Sequence, residues 1–316
     1  LHKLIVNEWT KIFKRAGTYV MIAMILLGVV AMGTLIKMTE EPDQAGDQWR
    51  DELSQQIKED KKDLKDMPAS AGDMKRFLEK DIAINQYRLD NEIAPPSETT
   101  GWSFIDESSA LISFAGLFAI IIAAGIVASE FSTGTIKLLL IRPIRRYKIL
   151  LSKYVTVVLF GLFMLAVLFI SSAGLGFGLF GTGDGNSVHL AYADGEVIEQ
   201  SQMLHLVKIY LLSSIDVLML VTLAFMISAV FRNNSLAIGI SIFLLMMGGN
   251  VTSLIAAKYD WAKYILFANT NLMQYFNGTP VVEGMTLGFS IVMLCIYFIL
   301  FMALAFGVFT KRDVAA

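Results

Sequence analysis

The sequence predicts an all-α, polytopic membrane protein with six transmembrane helices, cytoplasmic N- and C-termini, and an extracytoplasmic helical hairpin after the first helix. Three observations carry this. The 316 residues are 55% hydrophobic and only 17% charged, with mean hydropathy +0.59, whereas soluble domains carry about a quarter charged residues. The charges are segregated, with long blocks containing none and a few segments containing nearly all. Such a chain is solvated by lipid in some stretches and by water in others. Lysine and arginine also crowd onto alternate connections between the apolar blocks, which sets the orientation.

Residues 1–17 are a basic stretch with Lys3, Lys11, Lys14 and Arg15. Windows of about 19 residues then place spans at 18–36, 108–128, 155–180, 209–231, 235–256 and 287–309. The first apolar run is too long for a cleavable signal peptide, and Ile36-Lys37 leads into charge without a small-residue cleavage site. None of the six prolines falls inside a span, so each helix is expected to keep its backbone hydrogen bonds internal. Arg232, Asn233 and Asn234 alone separate the fourth and fifth spans, as in a tight helical hairpin.

Orientation follows from the positive-inside rule. The connection between the second and third spans carries Lys137, Arg142, Arg145, Arg146, Lys148 and Lys153, and Arg232, Lys311 and Arg312 fall on the same side. The opposite short loops offer Lys208, Lys258 and Lys263. Both termini, including the tail 310–316, are therefore expected in the cytoplasm of a cell bearing this chain in its inner (cytoplasmic) membrane.

Residues 37–107 then lie outside. Trp49, Leu53, Ile57, Leu64 and Met67 recur at helical spacing, as do Met74, Phe77, Leu78, Ile82 and Leu89 beyond the break 68–72. Asp73 is placed to cap the second arm. Two matched apolar stripes predict an antiparallel hairpin with something to pack against, a lid or docking element rather than a solvated spacer. The segment 181–208 reads as an extracytoplasmic loop opening on the turn Gly181–Asn186.

Chemistry is sparse. A formal net charge of −2 excludes a strongly basic nucleic-acid binder. One cysteine, Cys295, excludes an intrachain disulfide or a cysteine-based metal cluster, and it reads as an ordinary lipid- or helix-facing small residue. His2, His189 and His205 are far apart and lack HExxH spacing, so no metal site is expected. Nothing matches GxxxxGK[ST] or a GxSxG elbow, so no P-loop ATPase and no intramembrane hydrolase is expected in this chain. Asp216 lies inside the fourth span beside Ser213, Ser214 and Thr222. A carboxylate there is either a pathway or cation-interaction site or a protonated or hydrogen-bonded packing residue. Gly174 with Gly178, and Ser172 with Gly176, have the spacing that lets helices approach closely, and Gly248-Gly249 is expected to loosen the fifth span.

The most informative segment is 129–154. Glu130 ends the second span, Gly134 permits a sharp turn, and an apolar run from Ile136 to Ile141 is stopped by Pro143. A basic amphipathic helix then leads into the third span. That construction is a cytoplasmic elbow offering a helix end to a partner.

The elbow resembles the signature of ABC-2-type transporter permeases. In that family an acidic residue ends the second helix, a Gly-Thr pair follows, and a short helix ends near proline and basic residues. Glu130, Gly134, Thr135, Pro143, Arg145 and Lys153 match, with Ile141, Arg142, Ile144 and Arg146 completing the segment. The external excursion and six spans agree with the family layout.

The resemblance implies a transmembrane half-transporter without enzymatic activity or cofactor of its own. ATP and magnesium would be bound by a separate P-loop ABC ATPase subunit. A second copy, or a related permease, would complete the path. The elbow would be the coupling helix, residues 1–17 a cytoplasmic interfacial helix, and residues 257–286 an extracytoplasmic re-entrant region. The rival reading is a membrane receptor or assembly factor whose external hairpin binds a ligand. A secondary transporter would show internal repeats and more intramembrane polar residues.

Overall fold

The computed structural model describes residues 1–39, 49–67, 72–95, 99–136, 144–183, 188–193, 195–231, 233–276 and 280–311. Among them six helical stretches are long and apolar enough to cross a membrane: Ala16–Thr39, Gly101–Ser132, Arg146–Phe180, Gln202–Phe231, Asn234–Ala256 and Leu287–Lys311. Every expected window lies inside one of these.

In chain order, α1 (His2–Phe13) precedes α2 (Ala16–Thr39), the first span. Helices α3 (Trp49–Asp66) and α4 (Gly72–Asp90) pack against each other as a helical pair. Leu53 and Ile57 are buried there, while Met74 and Phe77 stay exposed. The second span comprises α5 (Gly101–Ser108), a 3-10 turn, α6 (Ile112–Gly125) and α7 (Ala128–Ser132). Helix α8 (Arg146–Phe180) is the third span. Strands β1 (Val188–Ala193) and β2 (Glu196–Ser201) lead to α9 (Gln202–Phe231) and α10 (Asn234–Ala256), the fourth and fifth spans. Short turns and α11 (Leu266–Thr270) precede α12 (Leu287–Lys311), the sixth.

The second and fourth spans are 67% and 61% buried in their apolar windows, against 17% for the first, fifth and sixth. The core is therefore the second, third and fourth spans, with the others outside it. Small residues make it compact. A methyl group added at Gly161 of α8 would touch Ala119 of α6 and Val217 of α9 at ordinary contact distances of 3.5 and 3.6 Å. The outer helices turn side chains such as Leu27, Leu35, Phe243, Leu254 and Ile299 outward, as an apolar solvent requires.

Two expectations are corrected. The connection 181–208 is not all loop: β1 and β2 pair antiparallel, Val188 opposite Ser201 and Ala193 opposite Glu196. Gly195 closes the turn at φ +88°, a conformation glycine adopts without steric cost. The fold is thus mostly helical rather than all-α. The second span also does not keep its hydrogen bonds internal, although it contains no proline. Its helix breaks between Gly125 and Ala128. Ser228 Oγ of α9 accepts the freed N–H groups of Val127 and Ala128 at 3.2 and 3.0 Å. Lys153 Nζ donates to the Ile126 carbonyl at 3.3 Å. A kink at membrane depth is tolerated when neighbouring side chains re-satisfy the backbone in this way.

The glycine expectations divide. Gly176 meets α5 closely, since an added Cβ would lie 2.8 Å from Phe104 and 3.1 Å from the Gly101 carbonyl, whereas Gly174 and Gly178 face open space. Gly248 does not loosen α10, which runs unbroken through it; its missing side chain makes room for the Phe267 ring.

Candidate functional site

The site is assembled where the elbow leaves and re-enters the bundle. Helix α1 is amphipathic, and its Trp9 and Phe13 pack against Phe163 of α8, with ring centroids 5.9 and 5.4 Å away. This packing turns Glu8, a charged residue, inward. Helix α7, redirected by the kink, brings in Glu130. The first turns of α8 bring in Lys153, whose side chain is 0% exposed.

Lys153 Nζ donates to Glu8 Oε2 at 2.8 Å, to Glu130 Oε1 at 2.7 Å and to the Ile126 carbonyl. All three ammonium donors are used. Lys11 Nζ closes the ring from the solvent side, 2.7 Å from Glu8 Oε1 and 3.3 Å from Glu130 Oε1. Two lysines and two glutamates balance, and this allows the cluster to be buried charged. Burial alone would raise the carboxyl of Glu8, but the charge of Lys153 and the hydrogen bonds from both lysines hold it below its ordinary value. Burial likewise works against the Lys11 ammonium, and Glu8 and Glu130 overcome it, so Lys11 is raised. Glu130 Oε2 is buried without a hydrogen-bond partner among the described residues.

Of the residues expected in the elbow, Glu130 and Lys153 thus meet directly. Gly134 turns the chain at φ +73°, with open space where a Cβ would sit, as expected for a sharp turn. Thr135 Oγ1 is 3.0 Å from Thr133 Oγ1. Ile144 and Arg146 are half-buried and Arg145 is exposed. Arg146 Nη1 donates to the Thr310 carbonyl at 3.4 Å, tying the start of α8 to the end of α12. Ile141, Arg142 and Pro143 lie outside the described residues, as does Arg232. Asp216 is elsewhere, on α9, with the Thr270 side chain of α11 as its hydrogen-bond partner. Glu8 and Lys11 were not expected at the site. A glutamate on a basic amphipathic helix reads as solvent-facing, and the signal that it is not is its position one turn before Ile12 on the buried face.

A second cluster lies at the other end of the same span. Asp106 of α5 stands 3.4 Å from His205 Nε2 of α9, and the His189 ring of β1 stacks on His205 with centroids 3.4 Å apart. Burial pushes the His189 imidazole down to about 4; His205, Lys80 and Lys208 act in the same direction and Asp106 opposes them.

Six apolar helical stretches among the described residues, one of them kinked and central, with a buried charge cluster at one end, define a polytopic α-helical membrane protein. The chain belongs to the family described as "Protein of unknown function (DUF2705)", whose model matches residues 75–315. It is similar to "Uncharacterized protein YhcI" of Bacillus subtilis (strain 168), 52% identical over 314 residues, which are 99% of each chain. It is also similar to "Uncharacterized membrane protein YdbK" of the same organism, 34% identical over 200 residues, covering 62% of this chain and 76% of that one.

Proposed function

We propose that this chain is the transmembrane permease subunit of an ATP-driven exporter of the ABC-2 type, coupled through the elbow to a separate P-loop ATPase that binds ATP and magnesium. The observation that carries the reading is the ion pair between Glu130 and Lys153, at 2.7 Å. It joins the residue that opens the elbow to the residue that closes it. A loop whose ends are pinned transmits displacement to the spans on either side instead of absorbing it. Glu8 and Lys11 extend the joint to α1, the interfacial helix of this reading. The elbow then faces the cytoplasm, and the α3–α4 and β1–β2 hairpins lie outside.

The apolar outer faces of α2, α10 and α12 are available to lipid and to a second copy of the chain or a related permease. The Thr270 partner of Asp216 favours packing over a place in the pathway. Copurification tests the reading: the full chain, solubilised gently from its native membrane, should bring down a P-loop ATPase whose hydrolysis it stimulates. A chain that copurifies with no ATPase contradicts it.

A receptor or assembly role is favoured by one observation. The two hairpins form a joined platform, with Tyr87 OH of α4 donating to Glu199 Oε1 of β2 at 3.3 Å. A ligand bound to the isolated chain, without an ATPase present, would support that alternative.

A further inference from the structure

Asp106, His189 and His205 come from three separate elements: α5, β1 and the first turns of α9. One candidate ligand atom from each lies within 4.8 Å of the other two. Ligands of tetrahedral zinc stand at about 2.0–2.2 Å from the metal, and hence about 3.4 Å from each other, so closing on an ion takes a contraction of up to about 1.4 Å between ligand atoms. His205 is buried, Asp106 and His189 are partly exposed, and solvent reaches the cluster.

From this we infer a zinc site formed by Asp106, His189 and His205 at the end of the bundle opposite the elbow. Two imidazole nitrogens and one carboxylate oxygen suit zinc, whereas calcium and magnesium favour oxygen throughout. The fourth position is left to water. The inference is independent of the exporter reading, because it depends on no partner and no transport step.

The ring geometry adds a consequence. The two imidazoles are nearly parallel, at 16° and 3.4 Å between centroids. A metal bound in the plane of one ring cannot lie in the plane of the other, so zinc has to open the stack. His189 rides on the β-hairpin and His205 on the bundle, so the stack opens by turning the rings or by shifting the hairpin against α9. Lys80 and Lys208 are near enough to bear on the His189 charge. Lys208 Nζ is held by Gln200 Oε1 at 2.9 Å, and Asp106 supplies the opposing charge.

The experiment uses the full chain in detergent without a polyhistidine tag, in a His2→Asn, Cys295→Ser background that removes the remaining histidine and the cysteine. Zinc chloride is titrated calorimetrically, and cobalt(II) replaces it for the visible absorption spectrum. The parent should take up one zinc per chain and give a tetrahedral cobalt spectrum. Loss of a ligand should exceed the roughly 10- to 100-fold weakening that follows loss of a group merely orienting one. His189→Gln and Asp106→Asn should each weaken zinc at least that far with an unchanged gel-filtration profile. If His189→Gln aggregates, Asp106→Asn, which keeps the side chain's size, decides. No stoichiometric zinc in the parent, or equal zinc affinity in parent and a folded variant, overturns the site.

Discussion

Glu130 and Lys153 meet at 2.7 Å across the base of the elbow, so the two spans that the elbow connects share one charge-assisted bond. The bond is dry on the lysine side, where the side chain is 0% exposed. Removing the Lys153 cation leaves the two buried carboxylates of Glu8 and Glu130 with the single, half-exposed Lys11 to balance them. Lys153→Met should therefore destabilise the protein by about 3–5 kcal/mol, the cost of breaking a buried pair from one side. Thermal unfolding in nanodiscs checks this. A variant as stable as the parent would mean that the cluster is hydrated in the membrane.

The kink gives a second test. Ser228→Ala removes the acceptor shared by the Val127 and Ala128 N–H groups. Leaving a buried donor unsatisfied costs about 1–3 kcal/mol. Hydrogen exchange should quicken at Val127 and Ala128 and stay unchanged at Ala119, on the intact helix before the break. Unchanged protection at 127 and 128 would show that another group takes these donors.

Much of the fold was legible in the residues, for a physical reason. A bilayer demands long uncharged windows, and those are visible without tertiary information. The kink was not legible, because its cause is a serine on a helix about 100 residues away rather than a proline in the helix itself. The β-hairpin had a readable signal in Asp194-Gly195 between short stretches with β-branched residues, but the nearby glycine cluster read as loop. At the site, Glu130 and Lys153 were readable from the elbow's pattern. Glu8, Lys11 and the meeting of His189 with His205 depend on how helices dock, which spacing along the chain does not encode.

Glycine substitutions separate close contact from open surface. Gly176→Val should cost about 1–3 kcal/mol by overpacking against Phe104 and the Gly101 carbonyl. Gly174→Ala, with nothing within 4 Å, should be neutral or stabilise by up to about 1 kcal/mol through helix propensity. Melting temperatures of the two variants check this. Equal destabilisation by both would point to a partner helix over Gly174.

The cluster also fixes a pH dependence. Glu8 is held below 4.5, so its contribution is complete above that pH and is lost as pH falls through the depressed folded value. Lys11 is raised above 10.5, so its contribution is complete below that pH and is lost as pH rises through the folded value. The difference in melting temperature between parent and Glu8→Gln should therefore be level near neutral pH and shrink on the acid side. A difference that stays constant into acid would remove Glu8 from the charged network.

Orientation is tested by labelling intact cells. In a Cys295→Ser background, a cysteine at Gln55 should react with an impermeant thiol reagent, and one at Ser132 should react only after permeabilisation. Reaction of the Ser132 site from outside would invert the proposed topology.

The central claim is coupling through the elbow, and the measurement that bears on it most directly is ATP hydrolysis by the copurified ATPase with and without an intact elbow. Truncating an apolar docking side chain costs about 1–3 kcal/mol if it is buried against the partner, a roughly 5- to 150-fold weaker association. Ile141→Ala with Ile144→Ala should leave the chain correctly inserted and at normal abundance. The variant should retain little ATPase and stimulate it little, whereas a double alanine substitution at Asn233 and Asn234 should matter less. Full ATPase retention and full stimulation in the elbow variant would contradict the coupling role and, with it, the exporter assignment.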